Sequence, residues 1–413
     1  MPPSSPAARP PAVGATDDTR LWRRWQARWQ HWRDGCLASP GFQRWAAANP
    51  LTRPIARRRA QQLFDLMAGF VYSQVLLACV RLRAFDLLAA GPQPLAALAA
   101  TWRLPEPAAA RLLDAAVALR LLEQRGASGY GLGPLGAPMV GNAGLAAMVE
   151  HHAALYADLH DPLALLRRGA AGEGRAASLN GVNGGNGESG PNGQPGMQAA
   201  LAGYWPYADT GDARGLSAEQ VAAYSALMAA SQPLVAGEIL DAHDFSRHRC
   251  VLDVAGGDGS FLASVHARHP QLQLVLFDLP AVVARPSPRL PASAQRVGGD
   301  FRLQPLPRGA DLLTLVRVVH DHDDATVQAL LRAAFEALTP GGRLLLAEPM
   351  AGTPGAQAMG DAYFGLYLLA MGRGRPRTAG QLTTLLQAAG FTGVRRLRTR
   401  LPLQCSILVG CKS

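Results

Sequence analysis

The chain has 413 residues, 48% of them hydrophobic and 17% charged, with a formal net charge of +10. That length supports two or three domains with real cores, and the composition is that of a globular protein rather than a disordered one. Residues 1–60 hold eleven Arg against three Asp, so most of the excess charge sits in an extension, which argues against a nucleic-acid enzyme.

Taken in chain order, residues 1–18 are Pro/Ala-rich, lack the apolar segment of a secretory signal and read as disordered. In LWRRWQARWQHWRDG, Trp22, Trp25, Trp29 and Trp32 recur at helical spacing on one face, with Arg23, Arg24, Arg28 and Arg33 around them. Such a stripe suits a membrane interface through residues 20–33, and equally a packing face against a partner subunit or the protein body. Residues 60–90 read as a long apolar helical region, though no apolar run is expected to reach the length of a membrane span. The segment after it reads as helix, turn, helix and hairpin, a winged-helix pattern. The second helix, around Pro107–Leu119, offers only Arg111 beside Asp114, so the element is expected to be structural or dimerising and no nucleic-acid partner is expected. Residues 169–196 contain ten Gly and four Asn and read as a flexible insertion. Helical segments resume at 197–205 and 216–241, and from Arg249 short β-rich runs alternate with helices, the pattern of a doubly wound sheet. Cys36, Cys79, Cys250, Cys405 and Cys411 form no Cys-x-x-Cys pair and read as reduced cytoplasmic thiols.

The expected sheet opens with strand Val251–Val254, a turn Ala255–Gly259 and a helix from Ser260. A dinucleotide fingerprint fails at its third glycine, where Leu262 stands, which disfavours a nucleotide-dependent oxidoreductase. The second strand ends in Asp278, suited to a ribose diol, and the third strand region ends in Asp300 and Phe301, suited to an adenine edge and face. Loop and acids together suit a nucleoside without a phosphate bridge, as in S-adenosylmethionine (SAM). The fourth strand leads to His320 and Asp321, and the fifth ends in Glu348 on the same edge, where a carboxylate can bind one imidazole nitrogen and leave the other as a base. Asp323 or Asp324 reads as a helix cap, and the HDHDD cluster is not read as a metal site. Tyr363, Phe364, Tyr367 and Met371, on an apolar helix at 361–372, read as a substrate tunnel or as core.

The runs LDVAGGDG, FDLP, GGDF, VVHDHDD and LTPGGRLLLAE resemble the plant-type and bacterial small-molecule O-methyltransferases over roughly residues 60–412. The stretches SPGFQRWAAANPLTRPIARRRAQQLFDLMAGFVYSQVLLACVRLRAFDLL and MGDAYFGLYLLAMGRGRPRT are similar to the hydroxyneurosporene and demethylspheroidene O-methyltransferases of purple photosynthetic bacteria. The resemblance implies a class I SAM-dependent methyltransferase fold (α/β, Rossmann-like) behind a mainly helical winged-helix dimerisation domain. It implies a homodimer acting on the tertiary hydroxyl of an acyclic carotenoid, in the cytoplasm or peripheral to the photosynthetic membrane. The implied domains are a basic, Trp-rich extension (1–58), the dimerisation domain (59–168), the insertion (169–196) and the catalytic domain (197–413), whose segment 197–241 lies on the substrate side. It places SAM on Asp253, Ala255, Gly256, Gly257, Gly259, Asp278, Leu279, Asp300, Phe301 and Arg317, with His320 as base oriented by Glu348. This chain departs from the family at Ala255, where the first loop glycine is expected, and at Pro376, where a second acidic partner of the base is expected. Another apolar acceptor (a polyketide, phenol or tetrapyrrole) and a SAM-sensing winged-helix DNA-binding regulator are the alternatives.

Overall fold

A computed structural model describes residues 17–126, 129–167, 218–372, 374–403 and 405–413. Most of the N-terminal Pro/Ala-rich stretch, the Gly/Asn-rich insertion and the expected helix at 197–205 lie outside these residues. Two units separate, one up to Leu76 and one from Leu77.

The first unit is helical. It contains α1 (Asp17–Ala38), α2 (Pro40–Ala48) and the greater part of α3 (Arg53–Arg81). Ser39 Oγ caps α2 by accepting from the Phe42 N–H at 3.4 Å, and Pro40 sits in the first turn, where its missing N–H costs nothing. The Trp stripe lies on one continuous helix as its spacing predicts. α3 nevertheless contains an 18-residue window of mean hydropathy 1.8, long and apolar enough by length and composition alone to cross a membrane. The uninterrupted apolar run is shorter than the helix because Asp65 breaks it.

The second unit opens with α4 (Ala84–Ala89), α5 (Leu95–Trp102), α6 (Glu106–Ala118) and a hairpin of β1 (Leu122–Gln124) and β2 (Tyr130–Leu132). This is the expected winged-helix order. Asp114 of α6 accepts from the Tyr130 hydroxyl at 3.2 Å, which ties the helix to the wing. Then come α7 (Ala143–Asp158) and α8 (Ala218–Ala242).

The sheet comes next: β3 (Cys250–Val254), α9 (Ser260–Arg268), β4 (Gln273–Asp278), β5 (Gln295–Gly298), β6 (Leu312–Val316), α10 (Asp324–Ala337), β7 (Arg343–Glu348), α11 (Phe364–Met371), α12 (Ala379–Ala388), β8 (Thr392–Leu397) and β9 (Ser406–Cys411). Strand order is β5-β4-β3-β6-β7-β9-β8, parallel except for β9, which runs antiparallel to both its neighbours. Alternate strand residues feed two cores. Leu252, Leu313, Leu344 and Leu346 meet α10 and α12 on one face, and Val251, Leu312, Leu345 and Ala347 meet α8 and α9 on the other. The chain winds outward from β3 in both directions, so the switch point lies between β3 and β6, where such sheets open a crevice at the carboxyl edge. Asp323 caps α10 by accepting from the Thr326 N–H at 2.8 Å.

Behind the sheet, His243 and His248 meet through their Nε2 atoms at 3.0 Å. Burial, with His248, Arg343 and Arg395 nearby, brings His243 down to about 4. Burial and the adjacent His152 do the same to His151. The unfolded chain takes up these protons near pH 6.5 and the folded chain only near pH 4. The stability these two histidines contribute is therefore complete above pH 6.5 and lost as pH falls toward 4. Between pH 6.5 and 4, His243→Gln should therefore lose less Tm than the wild type. An unchanged slope in that variant would remove His243 from the account.

Candidate active site

The turn after β3 is shaped by backbone constraint. Gly257 and Gly259 adopt φ of +62° and +82°. A Cβ at Gly256 would collide with the Asp253 carboxylate and Leu276, so glycine is required there by close approach. Ala255 also has positive φ, +54°, where an L side chain is strained by roughly 1–2 kcal/mol. Arg317, just after β6, has φ of +58°. Both strained residues flank the same cavity.

That cavity sits at the carboxyl edge and is lined by Asp253, Ala255, Gly256, Gly257, Asp278, Leu279, Asp300, Phe301 and Arg317, among others. Gly259 lies under it against Leu290 and Leu276. Asp253 is 1% exposed; its Oδ1 accepts from Thr314 Oγ1 at 2.6 Å, and its Oδ2 has no hydrogen-bond partner. Asp278 accepts from the Gly257 N–H and the Leu279 N–H, both at 2.7 Å, which closes the turn onto β4. Burial pushes Asp253 up to about 7 and Asp278 up to about 6. Asp300 is gripped by the Arg302 guanidinium at 2.7–3.2 Å, and these hydrogen bonds hold it below the usual carboxylate range although burial works the other way. Arg317 lines the cavity, but its guanidinium already donates to Ser231 Oγ at 2.8 Å, the Met228 carbonyl at 3.0 Å and Gln232, and so binds α8 to the cavity. A buried carboxylate oxygen without a partner, two further acids and a glycine cradle form a donor set that fits SAM, with its cationic head and ribose diol.

Beside the cavity, residues Val319–Asp321 form a 3₁₀ turn. Glu348, at the end of β7 and 2% exposed, accepts from the Val318 and Val319 N–H groups at 3.0 and 2.7 Å through Oε1. Its Oε2 meets His320 Nδ1. Asp321 Oδ1 lies 3.1 Å from the other ring nitrogen, Nε2, without a hydrogen bond to it. Burial opposes a charged ring here, but the Asp321 and Glu348 carboxylates outweigh it and push His320 far above its ordinary value. Pro376 supplies no second acid, while the adjacent Arg377, 2% exposed, donates to the Val319 and His322 carbonyls at 2.8 and 2.7 Å and fixes the turn from below.

The O-methyltransferase domain family matches residues 207–392, and the O-methyltransferase dimerisation domain matches residues 64–142. The chain is 40% identical to the demethylspheroidene O-methyltransferase of Rhodobacter capsulatus over 87% of this chain and 84% of that one. It is also 40% identical to the enzyme of that name from Cereibacter sphaeroides over 94% of each. The chain belongs to the O-methyltransferase family. Human N-acetylserotonin methyltransferase, solved in complex with SAM, superposes with TM-score 0.67 at 25% identity, over 86% of this chain and 98% of that one.

The sequence missed Asp321 as a neighbour of the ring, Arg302 as the partner of Asp300, and Arg377. The first two signals were present, one residue from His320 and two from Asp300, but only a turn geometry turns them inward. Among the described residues no His/Cys/Asp/Glu cluster suits a metal ion.

A cationic ligand binds best when Asp253 and Asp278 are ionised. SAM affinity should therefore be full above about pH 8 and weaken as pH falls through 7 and 6. Asp253→Asn should weaken SAM about 10- to 100-fold by isothermal titration, the loss of one charge-assisted contact, and flatten that pH dependence. Wild-type affinity in the variant would show that Oδ2 does not meet the ligand.

Proposed function

We propose that this O-methyltransferase transfers the SAM methyl group to the hydroxyl of an apolar acceptor of the demethylspheroidene type, a 1-hydroxy carotenoid, with His320 as base. The observation that carries the chemistry is the His320–Glu348 pair at the edge of β6 and β7, beside a cavity that fits SAM. The acceptor rests on the 40% identity to the two demethylspheroidene enzymes. SAM, when bound, supplies an electrophilic methyl group whose departure leaves a neutral thioether. Asp253, the 255–259 turn, Asp278, Leu279, Asp300, Phe301 and Arg317 hold and orient it. Glu348 fixes the imidazole through Nδ1, so that Nε2 receives the acceptor proton. An alkyl alcohol is too weak an acid to ionise beforehand, so proton removal accompanies attack. The acceptor hydroxyl meets Nε2, and most of the rate comes from alignment in a site closed to water.

The domains we propose are those read from sequence: extension 1–58, dimerisation domain 59–168, insertion 169–196 and catalytic domain 197–413. Residues 64–142 give the homodimer, which also accounts for the apolar side chains exposed on α3, Leu66, Met67 and Phe70 among them.

Labelled SAM should transfer its methyl group to a 1-hydroxy carotenoid in preference to a phenol or a tetrapyrrole, and transfer only to a phenol would discard the carotenoid. His320→Ala should lower kcat by about 10²-fold or more with SAM affinity unchanged. Because the neighbouring acids favour the charged ring and the base must be neutral, kcat should climb with pH above 7. A flat profile over pH 7–9 would contradict this assignment.

The extension has its own role in this reading. Trp22, Trp25, Trp29 and Trp32 are between 48% and 70% exposed, lie outside the matched dimerisation residues, and Arg33 stacks over Trp29 at 5.4 Å. Indoles with flanking Arg suit the headgroup layer of an anionic membrane, where an apolar acceptor dissolves. The full chain should sediment with phosphatidylcholine vesicles containing phosphatidylglycerol, less in high salt, and not after Trp25→Ala with Trp29→Ala. Loss of the dimer in that variant, with vesicle binding intact, would assign the stripe to a second copy instead.

A further inference from the structure

On α7, the adjacent His151 and His152 both reach α11 and the turn before it. His151 Nε2 lies 2.9 Å from the Tyr367 hydroxyl, and His152 Nε2 lies 2.7 Å from the Tyr363 hydroxyl. The two tyrosines are one helical turn apart and their rings stack at 5.6 Å. Burial lowers both histidines and raises the Tyr363 hydroxyl. The Tyr363 hydroxyl is held between His152 and Met148 Sδ, to which it donates at 4.0 Å, which leaves its ring faces for other contacts. That ring meets Phe364 edge to face at 5.1 Å, and Phe364 meets the His320 ring at 6.0 Å. An aromatic line thus runs from the base to a histidine of another helix.

The backbone before it is unusual. Residues Ala358–Tyr363 form a π-helical turn, a rare geometry that recurs at functional sites. One extra residue in a turn rotates the rest of the helix by about 100°. This turn is pinned to the segment leaving Glu348: Asp361 accepts from the Gly352 N–H at 3.0 Å, and Gly360 presses on the Met350 carbonyl with no room for a Cβ. The wide turn therefore sets the register in which Tyr363 meets His152 while Phe364 meets His320. Tyr367 and Met371 are buried in a cluster with Leu155 and Leu165 and serve as core, and Tyr363 and Phe364, half-buried, pack against that cluster.

We propose that His152 and Tyr363 are a positioning pair for the acceptor, holding the aromatic wall along which a long apolar chain leaves the hydroxyl at His320. The proposal rests on the reading of His320 as the base. Specificity follows from the ring faces that Tyr363 and Phe364 offer: a hydrocarbon chain packs on them, while a polar substituent close to the acceptor hydroxyl gains no hydrogen bond from either ring.

The test uses the full-length enzyme with a 1-hydroxy carotenoid and, separately, a compact phenol. Tyr363→Phe and His152→Leu should each raise KM for the carotenoid about 2- to 10-fold, the range of one hydrogen bond, with kcat and SAM affinity held within about twofold. The double variant should add little to either single one. His152→Gln, which can still bond the Tyr363 hydroxyl, should recover most of the loss, and KM for any phenol turned over should not move. An unchanged carotenoid KM with lowered Tm would make the pair a structural strut and overturn the proposal. So would a fall in kcat alone. A wild-type enzyme that fails to turn over the carotenoid would overturn the acceptor assignment, whereas a competent wild type with unaltered variants would overturn the pair alone.

Discussion

The site depends on the buried carboxylate of Glu348. A carboxyl group so fully removed from water must have its oxygens hydrogen-bonded. Glu348 meets that need with two backbone N–H groups of the turn after β6 and one imidazole nitrogen. One desolvation requirement therefore fixes the path of the turn, the tautomer-bearing nitrogen of His320 and the spacing of two neighbouring strand ends. Arg377 completes the arrangement by taking two carbonyls of the same turn. The ring is placed by the sheet, not by a loop of its own.

The strand ends were legible because parallel strands buried on both faces read as unbroken apolar runs, each closed by an acid: Asp253 near the end of β3, Asp278 on β4 and Glu348 on β7. Edge and order followed from the doubly wound pattern. What the pattern does not carry is the direction of side chains in short turns. Asp321 follows His320 directly, and nothing in spacing says that a 3₁₀ turn brings its Oδ1 to Nε2. Arg317 was read as a SAM contact and lines the cavity, but its attachment to Met228, Ser231 and Gln232 depends on a helix that lies more than eighty residues earlier in the chain. The apolar helix at 361–372 was legible as a helix; its π-helical start was not, because apolar periodicity cannot separate one extra residue per turn from a register shift.

Two neighbouring strands, β3 and β6, end in residues held at positive φ, Ala255 and Arg317, and neither is glycine. Such strain persists only where the surroundings over-determine it. Here the surroundings are the Phe277 carbonyl, which accepts from the Ala255 N–H at 2.7 Å, and the Ala347 carbonyl, which accepts from the Arg317 N–H at 2.8 Å. Each strained residue is thus stitched to the neighbouring strand. The cavity floor is rigid before any ligand arrives, so little ordering remains to be done on binding.

The antiparallel strand β9 has a consequence for biogenesis. It pairs along the whole of β7, with Ser406 opposite Glu348. Until that late segment has been made, β7 presents the bare apolar edge of RLLLAE, the kind of strand that recruits other chains. A nascent polypeptide therefore cannot complete its sheet in the order in which it is synthesised, and the interval between the two strands is a window for chaperone engagement or aggregation. Yield in the cell then depends on the integrity of a strand that touches neither donor nor acceptor.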